Sequence, residues 1–138
     1  MSKVGDYLKG PPVTAGINAS VAEVARIMAE RNIGSVVLID DAGRPVGIVT
    51  ERDLVRAIAN GRLNARAIEV GTSTDLLTAT PDDDVYQVLR RMRERSVRHL
   101  IVVDRNGVVI GVLSIRDLLE DRALRALGDR AWWPPPED

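Results

Sequence analysis

One stretch of this chain occurs twice. Residues 21–55 read VAEVARIMAERNIGSVVLIDDAGRPVGIVTERDLV, and residues 85–119 read VYQVLRRMRERSVRHLIVVDRNGVVIGVLSIRDLL, 64 positions on and without a gap. Val24/Val88, Met28/Met92, Asp40/Asp104, Gly43/Gly107, Gly47/Gly111, Arg52/Arg116 and Asp53/Asp117 are identical pairs. A repeat of this kind constrains the architecture before any residue has a role, because one supersecondary unit made twice buries its apolar faces against its own copy. Two copies predict a pseudo-twofold axis, with equivalent polar groups facing each other across a shared groove.

Each copy reads strand, helix, strand, strand, helix. Val13-Thr14-Ala15 is extended. Ser20 is placed to cap a helix in which Val21, Val24, Ala25 and Met28 share one face. Asn32-Ile33-Gly34 ends it. Residues 36–39 form an unbroken run of Val, Leu and Ile, the mark of a strand covered on both faces. Asp41-Ala42-Gly43 turns the chain into a strand at 46–49, and a second helix starts near Glu51. The second copy follows suit, with Asn106-Gly107 predicting a type I′ hairpin turn, in which both central residues take positive φ. The fold class is α/β: two pseudo-twofold-related β-α-β-β-α repeats forming one compact module. The divisions are residues 1–62, residues 63–127 and a Trp- and Pro-rich tail at 128–138.

Composition narrows the chemistry. A chain of 138 residues without cysteine has no thiol nucleophile, thiolate ligand or disulfide, which fits the cytoplasm. The net charge of −1 offers no global basic field for nucleic acid. No run approaches the roughly 18 apolar residues of a membrane span. Phenylalanine is absent, so the core is aliphatic.

The residues that suggest chemistry are also duplicated: Gly47-Ile48-Val49-Thr50-Glu51-Arg52-Asp53 and Gly111-Val112-Leu113-Ser114-Ile115-Arg116-Asp117. Each lies where a strand gives way to a helix. Free N–H groups and a hydroxyl at such a point suit an anion. Arg52 and Arg116 can fork onto a phosphate. Asp53 and Asp117 can accept both hydrogens of a ribose diol. A second reading is purely structural: Thr50 with Asp53, and Ser114 with Asp117, also have the spacing of a capping box. The capping reading leaves the repeated Arg unexplained.

With these motifs in hand, the chain resembles a tandem pair of cystathionine-β-synthase (CBS) domains, a Bateman module, over about residues 4 to 122. The resemblance rests on the repeat, on residues 32–40 and 96–104, and on both Gly-h-h-[Thr/Ser]-x-x-Asp endings, where h is apolar. It implies a regulatory module without catalytic activity that binds AMP, ADP, ATP, S-adenosylmethionine or NAD-like ligands. It needs no cofactor beyond that adenine nucleotide, forms a homodimer, and signals to a regulated protein by a conformational shift. The alternative is a dimeric scaffold with vestigial clefts. By the resemblance, one cleft joins Gly34, Ser35 and Val36 to Ser114, Arg116 and Asp117. The other joins Thr72, Arg98, His99 and Leu100 to Thr50, Arg52 and Asp53. The chain departs from the family at Val37 and Ile101, where Pro often stands. The two copies also differ from each other: Ile17 answers to Pro81, and Leu8 to Thr72.

That last difference predicts unequal clefts. Gly34 and Ser35 leave room for an adenine ring, whereas their counterparts Arg98 and His99 are bulky. The Asp117 cleft is expected to be the better site, with Arg98, His99 and Arg116 near its phosphates and tighter phosphate binding on acidification through His99. Remaining features have plainer readings. Asp82-Asp83-Asp84 is acidic charge at a helix start rather than a metal site. The arginines at 90, 91, 93 and 95 form a solvated helix face. Met28 and Met92 are matched core positions. Ala22, Ala25, Ala29, Leu118, Leu119 and Leu124 offer surface for dimer contacts, and Trp132-Trp133 could dock on a neighbouring subunit.

Overall fold

The computed structural model describes residues 2–119. The first repeat holds β1 (Thr14–Gly16), α1 (Val21–Arg31), β2 (Ser35–Ile39), β3 (Pro45–Thr50) and α2 (Glu51–Ala59). After a short α3 (Ala67–Val70), the second repeat holds β4 (Thr78–Ala79), α4 (Val85–Glu94), β5 (His99–Val103), β6 (Val109–Ser114) and α5 (Ile115–Leu118). The predicted β-α-β-β-α order is present in both. The tail, Leu124 and the tryptophan pair lie outside the described residues.

Each repeat forms a three-stranded sheet, β1-β2-β3 or β4-β5-β6, in which the first pair of strands is parallel and the second antiparallel. The registers coincide under the repeat: Val37 pairs with Ile48, and Ile101 with Val112. Strand alternation explains the unbroken apolar runs. Val36 and Leu38 face the helices of their own repeat, with Val24, Met28 and Val49. Leu100 and Val102 do the same with Val88, Leu89 and Met92. Val37 and its counterpart Ile101 turn the other way and meet in a third cluster with Val109, flanked by Ile39, Ile48 and Val112. That cluster is the joint between the sheets.

Caps begin the helices as the side chains dictate. Ser20 accepts from Glu23 N–H at 3.0 Å, and Asp84 from Gln87 N–H at 3.0 Å. Asp83 accepts from Thr80 N–H at 3.0 Å and pairs with Arg91 at 3.5 Å, so this acidic run is occupied in holding α4.

Two expectations need correcting. In the Asn106-Gly107 turn, Gly107 has φ +81° but Asn106 does not have positive φ. Asp104 organises the loop instead: its Oδ1 accepts from Asn106 N–H at 2.8 Å and Val108 N–H at 3.0 Å, and a bulge at Val102/Val103 absorbs the extra residue. Asp40 and Gly43 repeat the arrangement. Leu118, read as dimer surface, is fully buried in the core of its own repeat. Among the described residues, the exposed large apolar ones are instead Val55, Ile58, Leu63 and Tyr86.

The segments leading into the repeats are exchanged. A 3-10 turn at Val4–Tyr7 packs on the second repeat: Val4 N–H donates to Asp83 O and Gly5 N–H to Pro81 O, both at 2.9 Å, and Val4 is buried in that core. Reciprocally, α3 packs on the first repeat, with Ala67 N–H donating to Ala19 O at 2.8 Å and Ala67 buried there.

Candidate functional site

Both Gly-h-h-[Thr/Ser]-x-Arg-Asp motifs form the predicted capping boxes. Asp53 N–H donates to Thr50 Oγ1 at 3.4 Å, and Asp53 Oδ2 accepts from Thr50 N–H at 2.9 Å. In the second copy the distances are 3.3 Å and 2.8 Å. The local fold therefore accounts for the hydroxyl and the acid. It does not exhaust them: an ionised carboxylate has about four acceptor positions, and in each box the backbone and hydroxyl bonds fall on Oδ2.

The surroundings of the two boxes differ. Beside Ser114 and Asp117 lies a cavity of about 390 Å³. Residues 32–35 of the first repeat form one wall; His99, residues 111–114 and Asp117 of the second form another. A strap at residues 7–13, leading into β1, completes it. The structure thus brings Gly34, Ser35, His99, Ser114 and Asp117 together. Val36 and Leu100 are fully buried in the two repeat cores. Arg116 is exposed and, like Arg98, is not on the cavity wall. A second cavity, lined by residues 16–19, Glu23 and residues 39–41, contains none of the predicted site residues.

Ser35 stands out chemically. It is 8% exposed and lies on the cavity wall, and among the described residues none hydrogen-bonds its hydroxyl. A buried polar group left this way costs about 1–3 kcal/mol unless water or a ligand satisfies it. His99 is paired in register with Ser114. Burial, and then Arg98, hold its pKa below the ordinary 6.5, against the opposing pull of Asp117, Glu51 and Asp53. The imidazole is therefore neutral at pH 7, and the second cation expected here appears only in more acidic solution.

Around Asp53 the same parts are arranged differently. Thr72 forms a β-bridge with Ile48, each N–H donating to the other carbonyl at 2.9 Å. Its carbonyl comes within 3.2 Å of where a Cβ on Gly47 would stand. Leu8, its counterpart, makes no such bridge with Val112 among the described residues and covers Gly111 with its side chain. The strap continues through Gly10, with φ +85°, into Pro11-Pro12. Prolines have no N–H to donate, so this segment cannot pair along a strand edge. Sequence reasoning missed the strap as a cavity wall; the signal available was that Gly-Pro-Pro run beside Leu8.

The CBS domain pattern matches residues 4–60 and 66–123. An uncharacterized 17.7 kDa protein of Acidianus ambivalens is 38% identical over 121 residues, covering 88% of this chain and 72% of the relative. Longer relatives are spanned over as little as 22% of their length. Among solved structures, a CBS domain protein from Pyrobaculum aerophilum complexed with AMP superposes with a TM-score of 0.83 at 36% identity, covering 93% of this chain and 98% of that one. The CBS domain pair of protein MJ0100, in complex with 5′-methylthioadenosine and S-adenosyl-L-methionine, gives 0.78 at 30% identity, covering 94% and 98%.

Proposed function

The chain belongs to the CBS domain family, and from that premise we propose that it is a regulatory module binding one adenosyl ligand in the cavity beside Asp117. The observation that carries this reading is the cavity itself, which joins Gly34 and Ser35 of one repeat to Ser114 and Asp117 of the other. Similarity to proteins complexed with AMP, or with methylthioadenosine and S-adenosylmethionine, supports the ligand class.

The walls divide the work by their chemistry. Leu8, Pro12, Val13, Ile33 and Val112 offer the apolar surface that a purine ring needs. This shifts the base from the Gly34–Ser35 floor to the strap side. Asp117 accepts from the ribose hydroxyls with the acceptor positions its cap leaves over. The 5′ substituent then meets the polar end, where His99, Gly34 and the Ser35 hydroxyl, unpartnered among the described residues, lie. A ligand so placed touches both repeats and the strap. It favours the arrangement of the three that fits it, and a partner that prefers that arrangement responds to ligand concentration through a coupling free energy.

The site is read as regulatory rather than catalytic, because Ser114 and Asp117 are engaged with each other in capping a helix. The module pairs with a second copy through exposed Val55 and Ile58 on α2; a 15.1 kDa species in light scattering at micromolar concentration would exclude that pairing. Calorimetric titration with AMP, methylthioadenosine and S-adenosylmethionine tests the binding function. A single site per chain is expected, and absence of heat with all three removes the reading.

A further inference from the structure

Glu51 opens α2, and its counterpart in the second repeat is the apolar Ile115. Its backbone N–H donates to the Gly34 carbonyl at 3.1 Å, and its side chain folds back over the same residue. Glu51 Oε1 lies 2.9 Å from the position a Cβ on Gly34 would occupy, so glycine is what admits the carboxylate there. Gly34 lines the cavity and Glu51 is exposed, which puts a negative charge at the rim, on the side where Gly34, Ser35 and His99 meet. Among the described residues, the wall itself carries one acid, Asp117, and one lysine, Lys9. His99 is held toward its neutral form. The lining therefore presents no surplus of positive charge, and Glu51 makes the rim more negative still.

We propose that Glu51 selects ligands by the charge of their 5′ substituent, admitting adenosine derivatives with a neutral, cationic or single-phosphate tail and disfavouring polyphosphates. This rests on the adenosyl reading above and refines it to a ligand class. A neutral thioether tail is indifferent to the carboxylate, a sulfonium is attracted, and each added phosphate is repelled. The repulsion is graded because Glu51 is exposed, and salt weakens it, since charges more than about 8–10 Å apart are largely screened at physiological ionic strength.

The test is calorimetry on the full chain with methylthioadenosine, S-adenosylmethionine, AMP and ATP, using the natural protein and Glu51→Gln. The natural protein is expected to bind AMP about tenfold more tightly than ATP. Glu51→Gln should raise ATP affinity about tenfold, leave methylthioadenosine unchanged and weaken S-adenosylmethionine a few-fold. In the natural protein the AMP-to-ATP ratio should shrink as salt rises from about 0.05 to 0.5 M, a readout that needs no variant. ATP binding as tightly as AMP, or a variant that shifts all four ligands by one factor, overturns the selector while leaving the adenosyl site standing. No binding of any of the four removes both.

Discussion

On one side of the pseudo-twofold axis, Thr72 locks onto the edge of β3 through two backbone hydrogen bonds, and Arg98 precedes the central strand. On the other side, Leu8 lays a side chain over Gly111, and Gly34 and Ser35 occupy the equivalent ground. Sheets, registers and capping boxes are shared. A few residues at equivalent positions separate the edge that Thr72 bridges from the one where Leu8 makes no such bridge and a cavity of about 390 Å³ lies. A duplicated motif can thus serve as helix cap in both copies while the surroundings of the two caps differ.

The largest expected effect comes from giving the Asp117 side the features of the Asp53 side. Gly34→Arg copies Arg98 into the cavity. Its Cβ meets the flexible end of Glu51, so the fold should survive, while the long side chain fills the space meant for the ligand. Adenosyl affinity should fall more than about a hundredfold, equivalent to over roughly 2.7 kcal/mol; retained affinity would show that the ligand lies elsewhere.

Asp117→Ala and Asp53→Ala sharpen the comparison, because each removes one capping carboxylate and should lower stability by a similar amount, about 1 kcal/mol. Only Asp117→Ala should also weaken ligand binding. A hydrogen bond to a charged group contributes about 1.5–3 kcal/mol, which corresponds to roughly ten- to a hundredfold. Equal losses in calorimetry would mean that both sides bind.

A smaller effect belongs to Gly111→Ala. The new methyl group meets the end of the Leu8 side chain, which must move and so reshapes the strap's apolar wall. Ligand affinity should drop about threefold to tenfold with little change in melting temperature, since small-to-large changes are absorbed where a neighbour can move. Val46→Ala, on the first repeat and off the cavity wall, should leave affinity unchanged.

The smallest concerns His99, whose counterpart Ser35 does not titrate. With its folded pKa below 6.5, the unfolded chain binds more protons once the pH drops below that value. Stability therefore declines as pH falls through 6.5 and levels off below the folded pKa. The difference between denaturant midpoints of the natural protein and His99→Gln, followed from pH 7.5 to 5, should show this slope with that sign.

Much of this was legible in the sequence for definite reasons. Residues 36–39 lack alternation because both faces are covered, by α1 on one side and by the other sheet on the other. Ser20, Thr50 and Ser114 signal helix starts because a hydroxyl three residues before an exposed N–H has one favourable partner. Val36 and Leu100 read as site residues by resemblance, yet strand pleating turns their side chains into the cores. The exchanged segments left no periodic trace. They depend on a few backbone bonds between residues far apart in the chain, such as Val4 to Asp83 and Ala67 to Ala19, and short stretches like these carry no repeat that composition or spacing could disclose. Glu51 was hidden because its reach over Gly34 depends on how β2 meets α2, which spacing alone does not specify.

The exchange of those segments has a consequence for how the chain is made. As it leaves the ribosome, the first repeat cannot close its core until Ala67 follows, and Val4 waits unburied until residues 81–85 have been translated. Neither half reaches its final packing in order of synthesis; each is finished by a piece from outside itself. A chain halted between the repeats would expose apolar surface at both ends, and a cut at the linker would yield two fragments each carrying the other's missing part. Such fragments, mixed, should find each other. A single-copy forebear of this gene would have met the same need by trading arms between two subunits.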